Sequence, residues 1–293
     1  MKKPLKKSRI PNTNALVIKD LVAPFFDVNW HFHSEYQLFT VLEGKGTRFV
    51  GDSIKPFREG DMVLTGPNLP HLWRNDKAYF QPKSDLFTRG IVIYFPKSFL
   101  NDSIFRFEEF EDIALLLEQS NYGVEIRGET NHMVQNLMLE MLEQKGSGQV
   151  IRLLQILQLI ASSDQVELIA NPGYINSHKE SERDRMGKVH DYVMNHFQGK
   201  VSLKEVADLT NLSDSAFSRF FKARMNRSFS DFLTEVRIAH ACKLLHESDT
   251  NISEVAFASG FHTLSNFNRL FLKRTNKTPL EYRKEHQRNF SRA

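Results

Sequence analysis

Val201-Ser202-Leu203-Lys204-Glu205-Val206-Ala207 and Ile252-Ser253-Glu254-Val255-Ala256 open two segments built to one pattern. Glu205-Val206-Ala207 aligns with Glu254-Val255-Ala256. Further on, Phe217, Arg219, Phe221, Arg224, Asn226 and Ser228 align with Phe267, Arg269, Phe271, Arg274, Asn276 and Thr278, fifty residues later. Asp231-Phe232 then matches Glu281-Tyr282. The offset grows by one residue between the blocks, which a turn tolerates. Matches this many and this ordered mark a duplicated supersecondary unit.

Each copy reads as helix, tight turn, helix. Leu203 to Leu209 is short and apolar-periodic, and Thr210-Asn211-Leu212 turns the chain. Ser213 is placed to cap the next helix, its hydroxyl accepting from an orphan amide. In the helix from Asp214 to about Met225, Phe217, Phe220 and Phe221 fall at i, i+3 and i+4 and are expected inside. Ser215, Ser218, Arg219 and Lys222 recur on the opposite side. In the second copy Gly260 supplies the turn and Thr263 the cap. Phe267, Leu270 and Phe271 face inward, and Ser265, Asn268 and Arg269 face outward. Such a helix suits the DNA major groove, where Arg pairs with guanine, Asn with adenine and Ser with either base edges or phosphate. A solvated polar face explains one such helix equally well; two at matched positions argue against it. Ser230 to Glu247, apolar at Phe232, Leu233, Val236, Ala239, Leu244 and Leu245, reads as a connecting helix. It is long enough to hold the two outward faces about one DNA turn apart.

The block resembles the DNA-binding domain of the AraC/XylS family of bacterial transcription regulators. The residues that carry the resemblance are Arg237, Ala241-x-x-Leu244-Leu245, Ile252-x-x-Val255-Ala256, Gly260-Phe261, Phe267-x-Arg269-x-Phe271 and Thr278-Pro279-x-x-Tyr282-Arg283. The resemblance covers roughly a hundred residues. It implies base contacts from early positions of each second helix: Ser215, Ser218 and Arg219, then Leu264, Ser265, Asn268 and Arg269. Leu264 departs from the polar residue common there and is expected against a thymine methyl. Lys222, one turn on, is expected at a phosphate.

A chain of 293 residues predicts about two domains, and a hydrophobic content of 41% suffices for two cores. Net charge is +4 but uneven. From Met186 onward 17 Lys and Arg stand against 11 Asp and Glu, a net +6; residues 1–185 carry 22 against 24, a net −2. The basic half is the half with the duplicated unit, as phosphate binding requires. The one cysteine, Cys242, excludes an intrachain disulfide and fits a reducing cytoplasm, as a small packed residue. No apolar run is long enough to span a membrane. The basic start, Met1 to Ser8, lacks a following apolar stretch and reads as a solvated end, not a signal peptide.

Residues 15–95 read as short strands: Ala15 to Val22, Tyr36 to Leu42, Thr47 to Val50, Asp61 to Thr65 and Gly90 to Tyr94, punctuated by glycines. Many short strands at close spacing predict a sandwich or barrel. His31-Phe32-His33, Gln37, Glu43-Gly44, Gly60-Asp61, Pro67, Pro70-His71 and Asn75 resemble the two short cupin motifs, over about fifty residues. By alternation His31, His33, Gln37, Phe39 and Val41 share one strand face, a polar mouth over an apolar floor. The resemblance implies a small-ligand pocket, with His31, His33, Gln37, His71 and Trp73 as candidate ligand-binding residues. Trp30 and Trp73 could stack on a sugar, and Arg48, Arg74 and Arg89 could meet an anion. Three histidines could also hold a divalent ion. Metal-binding cupins place a carboxylate where this chain has Gln37, and Glu35 sits two residues early. No metal or other cofactor is therefore expected.

From Pro96 the pattern turns helical: Ile113 to Gln119, then Glu129 to Gln144 with Met133, Leu137, Met138 and Met141 at helical spacing. Gln149 to Ser162 follows, with Val150, Leu153, Leu157 and Ile160 at a and d positions. Ile151, Leu154, Ile156 and Leu159 widen its apolar surface, so packing on the barrel is expected on one side and an identical helix of a second subunit on the other, with one large core of a single chain hiding all of it as the alternative. Residues 164–185 lack apolar periodicity and read as an exposed linker. Met186 to Phe197 starts the last domain. The expected protein is α+β with two domains. Residues 1–163 form a cupin-like barrel with dimerisation helices, and residues 186–293 form an all-α domain with two helix-turn-helix units. The function expected is a cytoplasmic DNA-binding regulator of transcription, an activator by family habit, and not an enzyme. Its partners are double-stranded DNA across two adjacent major grooves, a small-molecule effector (a carbohydrate by preference) and a second copy of itself, with RNA polymerase allowed as a further partner. Two alternatives stay open: a ligand-independent regulator whose first domain only dimerises, and a metal-dependent cupin enzyme.

Overall fold

A computed structural model describes residues 14–99, 104–171, 174, 180–247 and 250–290. The chain divides into two compact units, essentially residues 1–176 and 177–293. The first is β-rich with helices packed on it, and the second is all helix.

The first unit contains β1 (Val17–Ala23), β2 (Glu35–Glu43), β3 (Gly46–Val50), β4 (Ser53–Phe57), β5 (Met62–Thr65), β6 (His71–Asn75) and β7 (Thr88–Pro96). After these come α1 (Glu111–Gln119), β8 (Val124–Ile126), α2 (Gly128–Leu142), α3 (Ser147–Ala161) and β9 (Val166–Leu168). The strands form a six-stranded sheet in the order β1-β7-β2-β5-β8-β9 and a three-stranded sheet β4-β3-β6. Both faces of the larger sheet are covered. Tyr36, Leu38, Met62, Leu64, Ile91, Ile93 and Phe95 pack against helices α1, α2 and α3. Phe39, Val41, Val63, Val92 and Tyr94, of the opposite parity, pack inward with Val50, Phe57 and Trp73 of the smaller sheet. Strands β4, β6, β8 and β9 lie outside the sequence expectation. β6 reads His-Leu-Trp-Arg-Asn with no apolar alternation, and β8 and β9 are three residues each, too short for a period to show.

Two expectations are corrected here. Leu153, Ile156, Leu157 and Ile160 of α3 are fully buried within the single chain, under α1, α2 and the sheet. The Leu153–Leu157 seam is therefore not an intersubunit surface. Met133, grouped with Leu137, Met138 and Met141 by spacing, is 46% exposed, and Ile151, counted in the wider apolar surface of α3, is 58% exposed. The expected linker 164–185 also begins as part of the barrel. β9 pairs with β8, and Ile169, Ala170 and Tyr174 enter the inner core. Asp52 accepts from the Asn171 backbone and side-chain amides at 3.1 and 2.8 Å. A three-residue strand followed by core contacts carries no periodicity, which is why it read as linker. The stretch 175–179 and Pro172-Gly173 lie outside the described residues.

In the second unit α4 (Glu180–His196) leads into α5 (Leu203–Leu209), α6 (Asp214–Met225), α7 (Phe229–Glu247), α8 (Ile252–Ala258), α9 (Leu264–Thr275) and α10 (Pro279–Phe290). The repeat holds down to single backbone angles. Asn211 and Gly260 turn the chain after α5 and α8 at φ 55° and 86°. Asn226 and Asn276 end α6 and α9 in the left-handed region at φ 51° and 56°. Ser213 and Thr263 accept from the amides of Ala216 and Asn266, both at 3.3 Å, so both expected caps form. Ser228 and Thr278 accept from the amides of Asp231 and Glu281 at 3.1 and 3.3 Å, a matched pair of caps, and Glu205 closes a capping box with Ser202. Cys242 is buried, and burial pushes its thiol up to about 12, as a packed and unreactive residue.

Leu157→Ala should cost about 2–5 kcal/mol by chemical denaturation, because a fully buried leucine leaves a cavity. Gln155→Ala, at an exposed position of the same helix, should leave that stability unchanged within error. The capping carboxylates add a pH dependence. The Ser202 amide holds Glu205, and the Thr278 amide holds Glu281, below the usual carboxylate range. A depressed folded value means their contribution is present above the ordinary carboxylate range and is lost as pH falls through the folded value. In thermal melts of the protein, Glu205→Gln with Glu281→Gln should flatten part of the acid-side loss of stability.

Candidate functional site

The three histidines meet because backbone pairing brings their segments together. His31 and His71 form an isolated antiparallel bridge, the His71 amide donating to the His31 carbonyl at 2.9 Å. The Asn68 amide, at φ 60°, donates to the His33 carbonyl at 2.6 Å. Each imidazole is then oriented by a main-chain carbonyl on its Nδ1 side: Asn29 O at 2.8 Å for His31, Glu35 O at 3.0 Å for His33, Leu69 O at 2.8 Å for His71. Carbonyls only accept, so each Nδ1 that faces one carries a proton, and the Nε2 side of each ring is turned away from that carbonyl. Gln37, inward on β2, sets its Oε1 at 3.2 Å from His33 Nε2 and 3.3 Å from His71 Nε2. Glu35 lies behind His33, its carboxylate 3.4 Å from Nδ1, and so orients that ring from outside the cluster. His33 and His71 are buried and His31 is half-buried.

The groups that converge are imidazole nitrogens and an amide, which a hydrogen-bonding molecule or a cation can meet. One nitrogen from each of the three imidazoles lies within 4.8 Å of the other two, and with an amide oxygen they form a donor set that zinc, nickel or iron(II) accepts. His31, His33, His71 and Gln37 are the residues that would hold such an ion. Its chemistry there would be that of a Lewis acid fixing an oxygen of the bound molecule.

Other candidates take structural places. Trp73 is buried, edge-on to Phe39 at 4.8 Å, and its indole donates to Asp61 at 2.8 Å. It is a wall beside His71 rather than an open stacking platform; Trp30 is buried too. Arg48, fully enclosed, donates to Asp61 at 2.5 Å and to Glu125 at 2.9 Å, tying the small sheet to β8. Arg89 pairs with Asp20 across β1 and β7. Arg74 lies over the Phe80 ring at 5.7 Å. Arg48 and Arg89 are committed to carboxylates of the protein itself, against the expectation of an anion site.

In the second unit Phe217 and Phe221 of α6, like Phe267 and Phe271 of α9, are fully buried. Their burial turns Ser215, Ser218, Arg219 and Lys222 on α6, and Leu264, Ser265, Asn268 and Arg269 on α9, to solvent. Phe220 and Leu270 are half-buried, less inward than expected. Besides Ser218 against Asn268 and Asp214 against Leu264, the faces differ in two further details. Arg269 is braced by Asn266 Oδ1 at 2.9 Å on its own helix. The counterpart of Lys222 is Leu272, which is 47% exposed, so the second face has an apolar residue where the first has a cation.

Residues 206–285 match a helix-turn-helix domain family and residues 21–78 a cupin domain family. Similar proteins include an uncharacterized HTH-type transcriptional regulator of Staphylococcus aureus, 34% identical over 100 residues. That match takes in 34% of this chain and 13% of the relative. An uncharacterized HTH-type regulator of Bacillus subtilis is 31% identical over 100 residues, 34% of either protein. The chain thus spans about a third or less of the length of these relatives. A solved structure of a Listeria innocua protein of unknown function is 30% identical with a TM-score of 0.33, over 34% of this chain and 96% of that one. Among the described residues no helix is long and apolar enough to cross a membrane. The chain carries a cupin domain followed by a helix-turn-helix domain.

Proposed function

We propose that the protein is a sequence-specific DNA-binding regulator of transcription acting in the cytoplasm, with a small-molecule effector bound at the histidine cluster of the cupin barrel. The carrying observation is the matched geometry of α6 and α9. Two capped helices, each pinned by a buried Phe pair, present Ser and Arg at equivalent exposed positions, on the basic half of the chain. Arg219 and Ser218 are suited to base edges, Asn268 and Arg269 likewise, and Lys222 to a phosphate. Leu264 is suited to a thymine methyl. Self-association is part of the reading, through the outer face that exposes Leu115, Met133 and Ile151 on the three packed helices. An activator would add RNA polymerase as a partner. The effector reading is favoured by the convergence of the His31, His33, His71 and Gln37 side chains within the barrel, a polar cluster that the hydroxyls of a polyhydroxylated molecule such as a carbohydrate are suited to meet.

Sites selected from random DNA should contain two conserved blocks about ten base pairs apart. Arg219→Ala should cost about 1–3 kcal/mol and relax one position of one block, and Arg269→Ala a position of the other. If both relax the same base, the two-groove reading is wrong. Lys222→Ala should weaken all sequences alike and lower the salt slope by about one. Leu272→Ala should leave the slope unchanged.

For the effector, thermal shift across a panel of sugars, other polyols and divalent ions should find a compound that raises stability of the wild type. His71→Ala should lose that response and keep its DNA affinity. An equal response in the variant would remove the cluster from the binding site.

A further inference from the structure

The connecting helix α7 touches both halves of the repeat, and two of its residues do so on nearly opposite sides. Glu235 and Arg237 are two apart, about 200° around a helix. Arg237 donates from Nε to Phe197 O at 2.8 Å and from Nη2 to Gly199 O at 2.9 Å. Both carbonyls lie just past the end of α4, where helical carbonyls lack partners of their own. The α8–α9 turn presses on the same spot. A Cβ on Gly260 would come within 2.5 Å of Phe197 O and 2.9 Å of Arg237 Nε. Gln198 donates to Ala258 O at 2.9 Å, and His240 Nδ1 meets Ser259 Oγ at 3.2 Å. The end of α4, which packs with the first helix-turn-helix unit, is thus tied to the turn of the second.

On the other side Glu235 receives two arginines. Arg227, one residue past the Asn226 cap of α6, pairs with it. Arg274, in the last turn of α9, reaches its carboxylate at 3.4 Å and Asp231 at 2.9 Å. The C-terminal ends of the two outward-facing helices therefore meet on one carboxylate. Guanidinium forks fix direction as well as distance, unlike a lysine point charge.

We propose that Arg237 and Glu235 are positioning residues that lock α6 and α9 at one separation, so that the protein accepts a single spacing between the two DNA blocks. This rests on the DNA-binding reading above. One base pair added between the blocks moves the second groove by about 3.4 Å and turns it by about a tenth of a turn. A locked pair cannot follow; a loosened pair can.

The experiment measures affinity of the full chain for the selected site, for the same site with one base pair inserted or removed between the blocks, and for a site holding the first block alone. Wild type should lose at least about tenfold on either spacer change. Arg237→Met and Glu235→Gln should each reduce that penalty to about threefold or less while leaving first-block affinity unchanged. A purely structural role would lower affinity for all sites alike and leave the spacer penalty intact, and that result overturns the proposal. If Arg237→Met does not fold, shown by loss of its thermal transition, Glu235→Gln at the other end of the clamp decides. Should the wild type select no sequence at all, the DNA reading itself fails, a result distinct from failure of the clamp.

Discussion

Burial of a phenylalanine pair one helical turn apart, made twice, is the constraint on which the second unit depends. Phe217 and Phe221 meet Phe229 and Phe232 at ring distances near 5.5 Å, and Phe271 meets Tyr282 in the same way. Such pairs combine large apolar area with preferred edge geometry. Once they are inside, α6 and α9 cannot rotate about their axes, and the direction of every exposed residue follows. Left-handed Asn226 and Asn276 then stop both helices at the same length. The polar faces need no specification beyond side-chain identity, and they diverge at Ser218 and Asn268 and again at Lys222 and Leu272.

The barrel solves a different problem, that of placing buried polar groups. Burying an imidazole or an amide without a partner costs free energy, so each must be satisfied from within. Main-chain carbonyls do this for the Nδ1 side of all three histidines, and Gln37 meets the Nε2 side of His33 and His71. Arg48 is enclosed on the same logic, with two carboxylates around it and Trp73 sharing one of them. A buried charge of this kind survives only when paired, and it welds the smaller sheet to the larger.

Much of this was legible in the chain because local patterns recorded it. The fifty-residue repeat, the Ser213 and Thr263 caps, the Phe stripes and the shared parity of His33 and Gln37 all express 3.6-residue or two-residue periods. The His31–His33 segment and His71 could be grouped by their resemblance to known motifs, but the direction of each ring could not. That direction is set by carbonyls of Asn29, Glu35 and Leu69, and a carbonyl has no signature in sequence. Asp61 as partner to both Arg48 and Trp73, and Glu235 as partner to two arginines, were hidden for the same reason: each pair is distant along the chain.

The sequence by itself determined which helices repeat, where they start and stop, and which residues of α6 and α9 face outward, since helical period and capping are local. Only the tertiary structure decided that α3 is buried within one chain, because a helix apolar on several sides looks the same whether a sheet or a second subunit covers it. Only it could show that β9, Ile169, Ala170 and Tyr174 complete the barrel, since three paired residues have no period. The clamp around α7 and the inward aim of the histidine nitrogens likewise exist only once segments far apart in the chain are brought within hydrogen-bond reach.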